Sequence, residues 1–190
     1  MKIPNIITLY TFFAFPIVVI CLFFIISGNV NIFYNGFALD NGNNIYLGKN
    51  SSIYVMNQNG EFKQNISAMT SRGYSFTISN ENQILISTGD YLYTISLLGE
   101  VIEKKTINNY KEDPLININK SEYIDSNGKK YVMKNELFRT RIYRIEDNEK
   151  IMVYQMPILD YVIKLFFYAF LLSVFIIVPI CIFQWRKIKM

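Results

Sequence analysis

Part of the central sequence repeats itself at a constant offset of 39 residues. Residues 37–47 align with residues 76–86, and the alignment continues without a gap to Gly60-Glu61 and Gly99-Glu100. The aligned stretch is about 25 residues long, and each copy is too short to bury a hydrophobic face alone. A fixed period near 40 therefore predicts a fold built by stacking several copies of one supersecondary unit.

Each copy has the residue pattern of short antiparallel strands. In the second copy, Tyr74, Phe76 and Ile78 alternate with polar residues, which is the period of a strand with one buried face. Turn sequences separate the apolar runs, at Asn41-Gly42, Asn59-Gly60, Thr88-Gly89-Asp90 and Leu98-Gly99. We predict four strands per copy.

A third, degraded copy follows the first two. We predict its strands at residues 114–119, 122–125, 130–133 and 137–145, with a last strand at 150–155. The three repeats then cover about 36–73, 74–112 and 113–153.

The pattern from Asp40 to Gly60, with its Ile-Tyr-Leu and Ile-Tyr-Val runs between turns, resembles the blades of β-propellers of the PQQ-like and NHL-like families. The resemblance implies an all-β domain of about three four-stranded, blade-like repeats. Closed propellers typically have four to eight blades, so we expect a protein partner or a homo-oligomer to complete the sheet. The alternative is a β-sandwich. The tryptophan of PQQ blades has no counterpart, since Trp185 is the only tryptophan, and no cofactor is expected.

Long apolar segments stand on both sides of the repeats. Residues 6–26 and 165–183 contain no charged residue, and each is close to the roughly 20 residues that a membrane-spanning helix needs. We predict transmembrane helices at 6–27 and 158–184, flanking an extracytoplasmic domain at 28–157. For the first segment, a cleaved signal peptide is the alternative.

The charges near these segments predict their orientation. A basic tail and an interfacial aromatic residue follow the second segment, and we take them as anchoring residues: Trp185, Arg186, Lys187 and Lys189. Residues 1–5 and 185–190 would be cytoplasmic, in a multi-pass protein of the plasma membrane with lipid as one partner. Asp160 and Lys164, four residues apart, are predicted to form an ion pair at the mouth of the second helix.

The sequence offers little for catalysis or metal binding. It contains no histidine, and both cysteines, Cys21 and Cys181, lie in the apolar segments. Asp40-Asn41-Gly42-Asn43-Asn44 departs from a calcium loop and is interpreted as a turn. The net charge of +4 comes from the terminal segments, so no nucleic-acid partner is expected.

These features together predict a membrane-anchored, non-catalytic binding or assembly module at the cell surface. The first alternative is an accessory subunit of a membrane transporter or secretion complex, and the second is a cell-envelope enzyme. We expect no enzymatic activity, no metal and no catalytic residue.

Overall fold

The computed structural model describes residues 16–27, 29–70, 73–108, 113–115, 121–147 and 149–189, without the side chains of 174, 175 and 177–189. The chain divides into two compact units. One unit comprises the chain up to Ile32 and from Pro157 onward, and the other is Phe33–Met156.

The described part of Phe33–Met156 consists of three separate four-stranded antiparallel sheets. Sheet 1 contains β1 (Tyr34–Leu39), β2 (Ile45–Lys49), β3 (Ser52–Met56) and β4 (Phe62–Ser67). Sheet 2 contains β5 (Ser75–Ile78), β6 (Ile84–Ser87), β7 (Tyr91–Ile95) and β8 (Val101–Thr106). Sheet 3 contains β9 (Glu122–Ile124), β10 (Lys130–Glu136), β11 (Arg139–Glu146) and β12 (Glu149–Gln155). In every sheet, each strand pairs with the next one along the chain.

Sheets 1 and 2 keep the 39-residue offset strand by strand. β2 begins at Ile45 and β6 at Ile84, and the last two strands of each sheet begin at equally offset positions. The irregularity in strand pairing also recurs, between Val55 and Met56 in sheet 1 and between Thr94 and Ile95 in sheet 2. The two copies therefore have the same strand order and the same pairing register, apart from an irregularity between Tyr34 and Phe37 in β1 that the pairing of β5 with β6 lacks.

The third repeat differs from the predicted one by one strand. Residues 122–125 were predicted as its second strand, but they contain β9, the first strand of sheet 3. Residues 130–133 were predicted as its third strand, but they belong to β10, the second strand of the sheet. Leu137 and Phe138 were predicted to begin a strand, but they form the turn between β10 and β11 and both have positive φ. Of the predicted strand at 114–119, Pro114 and Leu115 lie in a turn and the remainder lies outside the described residues.

A five-residue turn recurs between the strands. The side-chain oxygen of its first residue accepts hydrogen bonds from the backbone N–H groups two and four residues later, with Asp40, Asn57, Ser96 and Asp125 in this position. The fourth residue has the left-handed conformation that glycine and asparagine adopt most readily, at Asn43, Gly60, Gly99 and Gly128. The short polar side chain and the glycine or asparagine thus specify this turn together. In the Asp40 turn the left-handed residue is Asn43, not Gly42.

Sheet 1 lies between the other two sheets. Its alternate residues face opposite ways, so both faces are buried. One face packs on sheet 2 and includes Ala38, Tyr46, Ile53 and Val55 against Phe76, Ile84, Ile86 and Ile95. The other face packs on sheet 3 and includes Phe37, Ile45, Leu47 and Met56 against Tyr131, Ile142 and Val153.

Turn glycines make the closest approaches between sheets. Gly60, in the β3–β4 turn, has a φ of +86°, and a Cβ atom there would overlap the carbonyl oxygen of Val153 in β12. Gly99, in the β7–β8 turn, meets Ile66 in β4, where a Cβ atom would lie 3.3 Å from the side chain. At both junctions a turn of one sheet packs on the fourth strand of its neighbour.

The other unit contains helical segments. Residues 16–26 are helical (α1), and α2 is Ile158–Lys189. Cys21, Val30, Ile32 and Ile163 form a buried cluster in this unit. Cys21 is a free thiol, and the side chain of Cys181 lies outside those described.

The predicted transmembrane helices are wrong. Within the described residues, no helix combines the length and the hydropathy needed to cross a bilayer. The described part of α1 has eleven residues, or about 16 Å of helix against a hydrocarbon core of about 30 Å. In α2, the described side chains of the first two turns include two buried ionisable groups, Asp160 and Lys164.

This correction extends to what the spans implied. The predicted plasma-membrane localisation as a multi-pass protein, with cytoplasmic termini and an extracytoplasmic centre, is contradicted by the same finding. Residues 6–15 of the first predicted span lie outside the described residues. The apolar composition of 6–26 and 165–183 therefore predicted more than the structure supports.

Candidate functional site

A cavity of about 300 Å³ opens beside the first strands of sheets 1 and 2. Strand and turn residues form most of its lining: Asn35, Tyr74, Ser75, Ser87, Thr88 and Gly89. Gly73 and Asp113 are further described residues of the lining. Small-molecule sites in proteins start at about this volume, so the cavity is large enough for a small polar ligand.

Asp113 is the charged residue among the described lining residues, and its side chain is held in a fixed position. Only 7% of Asp113 is exposed. One carboxylate oxygen accepts a hydrogen bond from the backbone N–H of Leu115, at 2.9 Å. The other accepts the hydroxyl hydrogen of Ser87, at 2.6 Å. That second distance is typical of a hydroxyl donating to an ionised carboxylate.

Ser87 is placed by the repeat itself. It is the last residue of β6 and is 2% exposed. The β6–β7 turn that follows brings the N–H of Gly89 within 3.4 Å of the Ser87 oxygen. In sheet 1 the residue 39 positions earlier is Gly48, so the first copy has no hydroxyl at this point. The hydroxyl is a feature of the second copy alone among the two that keep the 39-residue offset.

Tyr74 forms a rigid wall of the cavity. Its hydroxyl lies 2.8 Å from the carbonyl oxygen of Lys49 and 2.6 Å from that of Ser52, in sheet 1. Burial raises the pKa of the Tyr74 hydroxyl, although its hydrogen bonds with Asn35 and Lys49 act in the opposite direction. Tyr74 therefore stays protonated and ties the start of sheet 2 to sheet 1.

No described lining residue carries a positive charge. Lys49 meets the lining through its backbone carbonyl, which accepts a hydrogen bond from Tyr74. The Lys49 ammonium group lies 3.7 Å from the centre of the Tyr54 ring, in a cation–π contact. Within the described lining, the Asp113 carboxylate thus gives the cavity one uncompensated negative charge.

A second polar cluster lies on the β10–β11 hairpin. Glu136 accepts hydrogen bonds from Arg141, at 2.5 Å, and from the Tyr143 hydroxyl, at 2.6 Å. These two donors lower the pKa of Glu136. Because the groups satisfy one another at the surface, the cluster is interpreted as structural.

The residues proposed from the sequence lie apart from the cavity. Asp160 and Lys164 are both buried in the unit that holds α2, and burial lowers the pKa of Lys164. The predicted ion pair between them stays a prediction. α2 continues through the predicted tail, but the side chains of Trp185, Arg186, Lys187 and Lys189 lie outside those described.

Metal-binding clusters are absent from the described part of the chain, where no three histidine, cysteine, aspartate or glutamate side chains converge. The Asp40 loop forms a turn. Its carboxylate accepts hydrogen bonds from the backbone N–H groups of Gly42 and Asn44, the Asn44 amide and the Tyr46 hydroxyl.

No sequence pattern predicted the Ser87–Asp113 pair. The two residues are 26 positions apart, and Asp113 is the first residue of the third predicted repeat, whereas Ser87 lies in the second. The repeat alignment carries one usable signal: a serine in the second copy at a position where the first copy has Gly48. A polar residue at a strand end of one copy, where the other copy lacks it, can thus indicate a site that the strand pattern does not reveal.

Comparisons with known proteins do not assign a family. No protein-family model, of a propeller family or any other, matches the sequence, and no curated protein matches it. The fold is weakly similar to the crystal structure of a protein of unknown function from Bacteroides caccae, with a TM-score of 0.34 and 12% identity. That match covers 64% of this chain and 44% of the other, so the chain spans less than half of that protein. The resemblance to PQQ-like and NHL-like blades stays a prediction.

Proposed function

We propose that Phe33–Met156 is a non-catalytic binding module whose ligand site is the cavity beside Ser87 and Asp113. The observation that carries the proposal is a buried, fixed carboxylate in the wall of a 300 Å³ cavity. Buried charges are normally paired or metal-bound because desolvation is costly. The Asp113 carboxylate has two hydrogen-bond donors, and the described lining supplies no cation. It is therefore suited to binding a ligand.

The rigidity of the walls supports binding. Tyr74 bridges two backbone carbonyls of sheet 1, and Asp113 is held from both sides by Leu115 and Ser87. A cavity whose polar groups are already in place loses little conformational entropy when a ligand enters. Catalysis is not part of the proposal, because the sequence has no histidine to serve as a general base for Ser87.

The ends of the three-sheet stack support a module that stands alone. Gly99 of sheet 2 packs on Ile66 of sheet 1. The residue of sheet 2 that corresponds to Ile66, 39 positions later, is Lys105. Lys105 lies on the exposed strand β8 and forms a salt bridge with Glu103 at 3.1 Å. At the other end, β11 and β12 are joined by Asp147 and Asn148, without a glycine. We therefore propose that no second copy is needed to complete the sheets.

A ligand screen tests the binding proposal. The thermal unfolding midpoint of the full chain is measured with a panel of small polar compounds, including sugars, amines, amino acids and carboxylates. Bound compounds are expected to raise the midpoint, because a ligand that binds only the folded state stabilises it.

A cavity-filling variant provides the control. A Cβ atom at Gly73 would meet nothing within 4 Å, so Gly73→Phe is expected to occupy part of the cavity and remove the response. Gly73→Ala should retain it. A response that survives Gly73→Phe, or a panel without any response, would contradict the proposal.

A further inference from the structure

The geometry around Asp113 leads to a more specific question about the ligand. The 2.6 Å hydrogen bond from Ser87 and the 2.9 Å bond from the Leu115 N–H both point their hydrogens at carboxylate oxygens. Two neutral donors stabilise the charge but do not cancel it. A group with a full positive charge would gain most from this position.

The surroundings limit what can supply that charge. Each carboxylate oxygen can accept more than one hydrogen bond, so Asp113 has acceptor capacity left for a ligand. A metal ion would need several further oxygen ligands, whereas no metal-binding cluster forms among the described residues. A primary ammonium group needs only a few acceptors and brings its own hydrogens.

The remaining lining favours hydroxyl groups on the same ligand. Asn35, Ser75 and Thr88 supply polar side chains to the lining. Thr88 exchanges hydrogen bonds with the backbone of Tyr91, and Asn35 bonds the Tyr74 hydroxyl. Because hydroxyl and amide oxygens have two lone pairs, they can still accept a hydrogen bond from a ligand hydroxyl. The volume of about 300 Å³ corresponds to roughly ten water molecules. This is enough for a molecule of about monosaccharide size and too little for a polymer segment.

We infer that the cavity binds a small hydroxylated molecule that carries a protonated primary amine, with the ammonium group on Asp113. The inference rests on the proposed binding function and names its ligand class. Ser87 donates its hydroxyl hydrogen to the carboxylate and need not touch the amine.

The test compares two sugars that differ at one group. Binding of glucosamine and of glucose to the full chain is measured by calorimetry at pH about 6, where the amine is protonated. Glucosamine is expected to bind roughly 10-fold more tightly than glucose, since a hydrogen bond between charged groups is about twice as strong as a neutral one. Equal affinity for the two sugars would overturn the inference.

Variants locate the preference. Asp113→Asn keeps the shape and removes the charge, so the two sugars should bind alike. The exposed Asp90 offers a matched control, and Asp90→Asn should keep the preference. A preference for glucosamine that survives Asp113→Asn would place the ammonium group elsewhere and refute the inference.

Ser87→Ala keeps the test decisive if Asp113→Asn does not fold. It retains the carboxylate and removes one of its two donors, so the preference for glucosamine should stay the same or increase. Loss of the preference in Ser87→Ala would refute the inference. If neither sugar binds but another compound of the panel does, the inference fails and the binding function stands; if no compound binds, both fail.

Discussion

The junction between sheets 1 and 3 can be tested by adding a single methyl group at Gly60. Gly60 has a φ of +86°, and its missing Cβ leaves room for the carbonyl oxygen of Val153. Gly60→Ala would place an L side chain in the left-handed region and push it against the backbone of β12. Both effects destabilise the folded state.

The magnitude has two parts. Left-handed backbone costs an alanine about 1–2 kcal/mol. Relieving the overlap requires movement of backbone in a packed junction, and overpacking of this kind costs about 1–3 kcal/mol. We expect Gly60→Ala to lower the free energy of unfolding by about 2–5 kcal/mol.

Gly128 supplies a matched control for the backbone part. It occupies the same position in the β9–β10 turn, has a φ of +78°, and a Cβ atom there would meet nothing within 4 Å. Gly128→Ala should therefore cost only about 1–2 kcal/mol. The change that alanine makes to the unfolded chain is the same at both sites and cancels in the comparison.

Urea denaturation of the full chain, followed by far-ultraviolet circular dichroism, measures both variants. The difference between them, about 1–3 kcal/mol, is the contribution of the junction. If Gly60→Ala and Gly128→Ala lose equal stability, the close packing of the β3–β4 turn on β12 would be refuted.

Two further outcomes follow from the same structure. Because Arg141 and Tyr143 lower the pKa of Glu136, this carboxylate adds stability above its unfolded-state pKa and loses that contribution as the pH falls through the lower folded-state value. The wild type should therefore lose more stability than Glu136→Gln between pH about 6 and 3. Parallel losses of the two proteins in denaturation series would contradict the pairing. Because Lys105 and Asp147 stand at the two ends of the three-sheet stack, we expect sedimentation experiments to give the mass of a single chain. A dimer that forms as the concentration rises, and that Lys105→Ile does not strengthen, would contradict the capping role of Lys105.

The repeat was the part of the fold that the sequence could predict. Its offset is carried by residues whose roles are local: Ile45 and Ile84 begin matching strands, and Gly60 and Gly99 hold matching turns. Local turn chemistry and strand alternation act over a few residues, so they are visible in one sequence. The offset fails in sheet 3, where the β10–β11 turn is formed by Leu137 and Phe138, apolar residues that usually indicate a strand.

Properties that depend on distant residues could not be predicted in this way. Sheet 1 lies in the middle of the stack because both faces of β2 are apolar. The apolar sequence of a strand does not reveal which sheets pack on it. The apolar terminal segments suggested membrane spans by their length and composition, but no helix among the described residues combines the length and the hydropathy that a span needs. The cavity depends on Ser87 meeting Asp113, a contact between the end of β6 and a residue 26 positions later that no spacing rule anticipates.

A crystal structure of the full chain with bound glucosamine tests the central claim most directly. The account predicts the amino nitrogen within about 3 Å of a carboxylate oxygen of Asp113, the distance of a charged hydrogen bond, with the Ser87 bond intact. A sugar bound outside the cavity, or a lysine or arginine side chain of this chain occupying the cavity opposite Asp113, would contradict it.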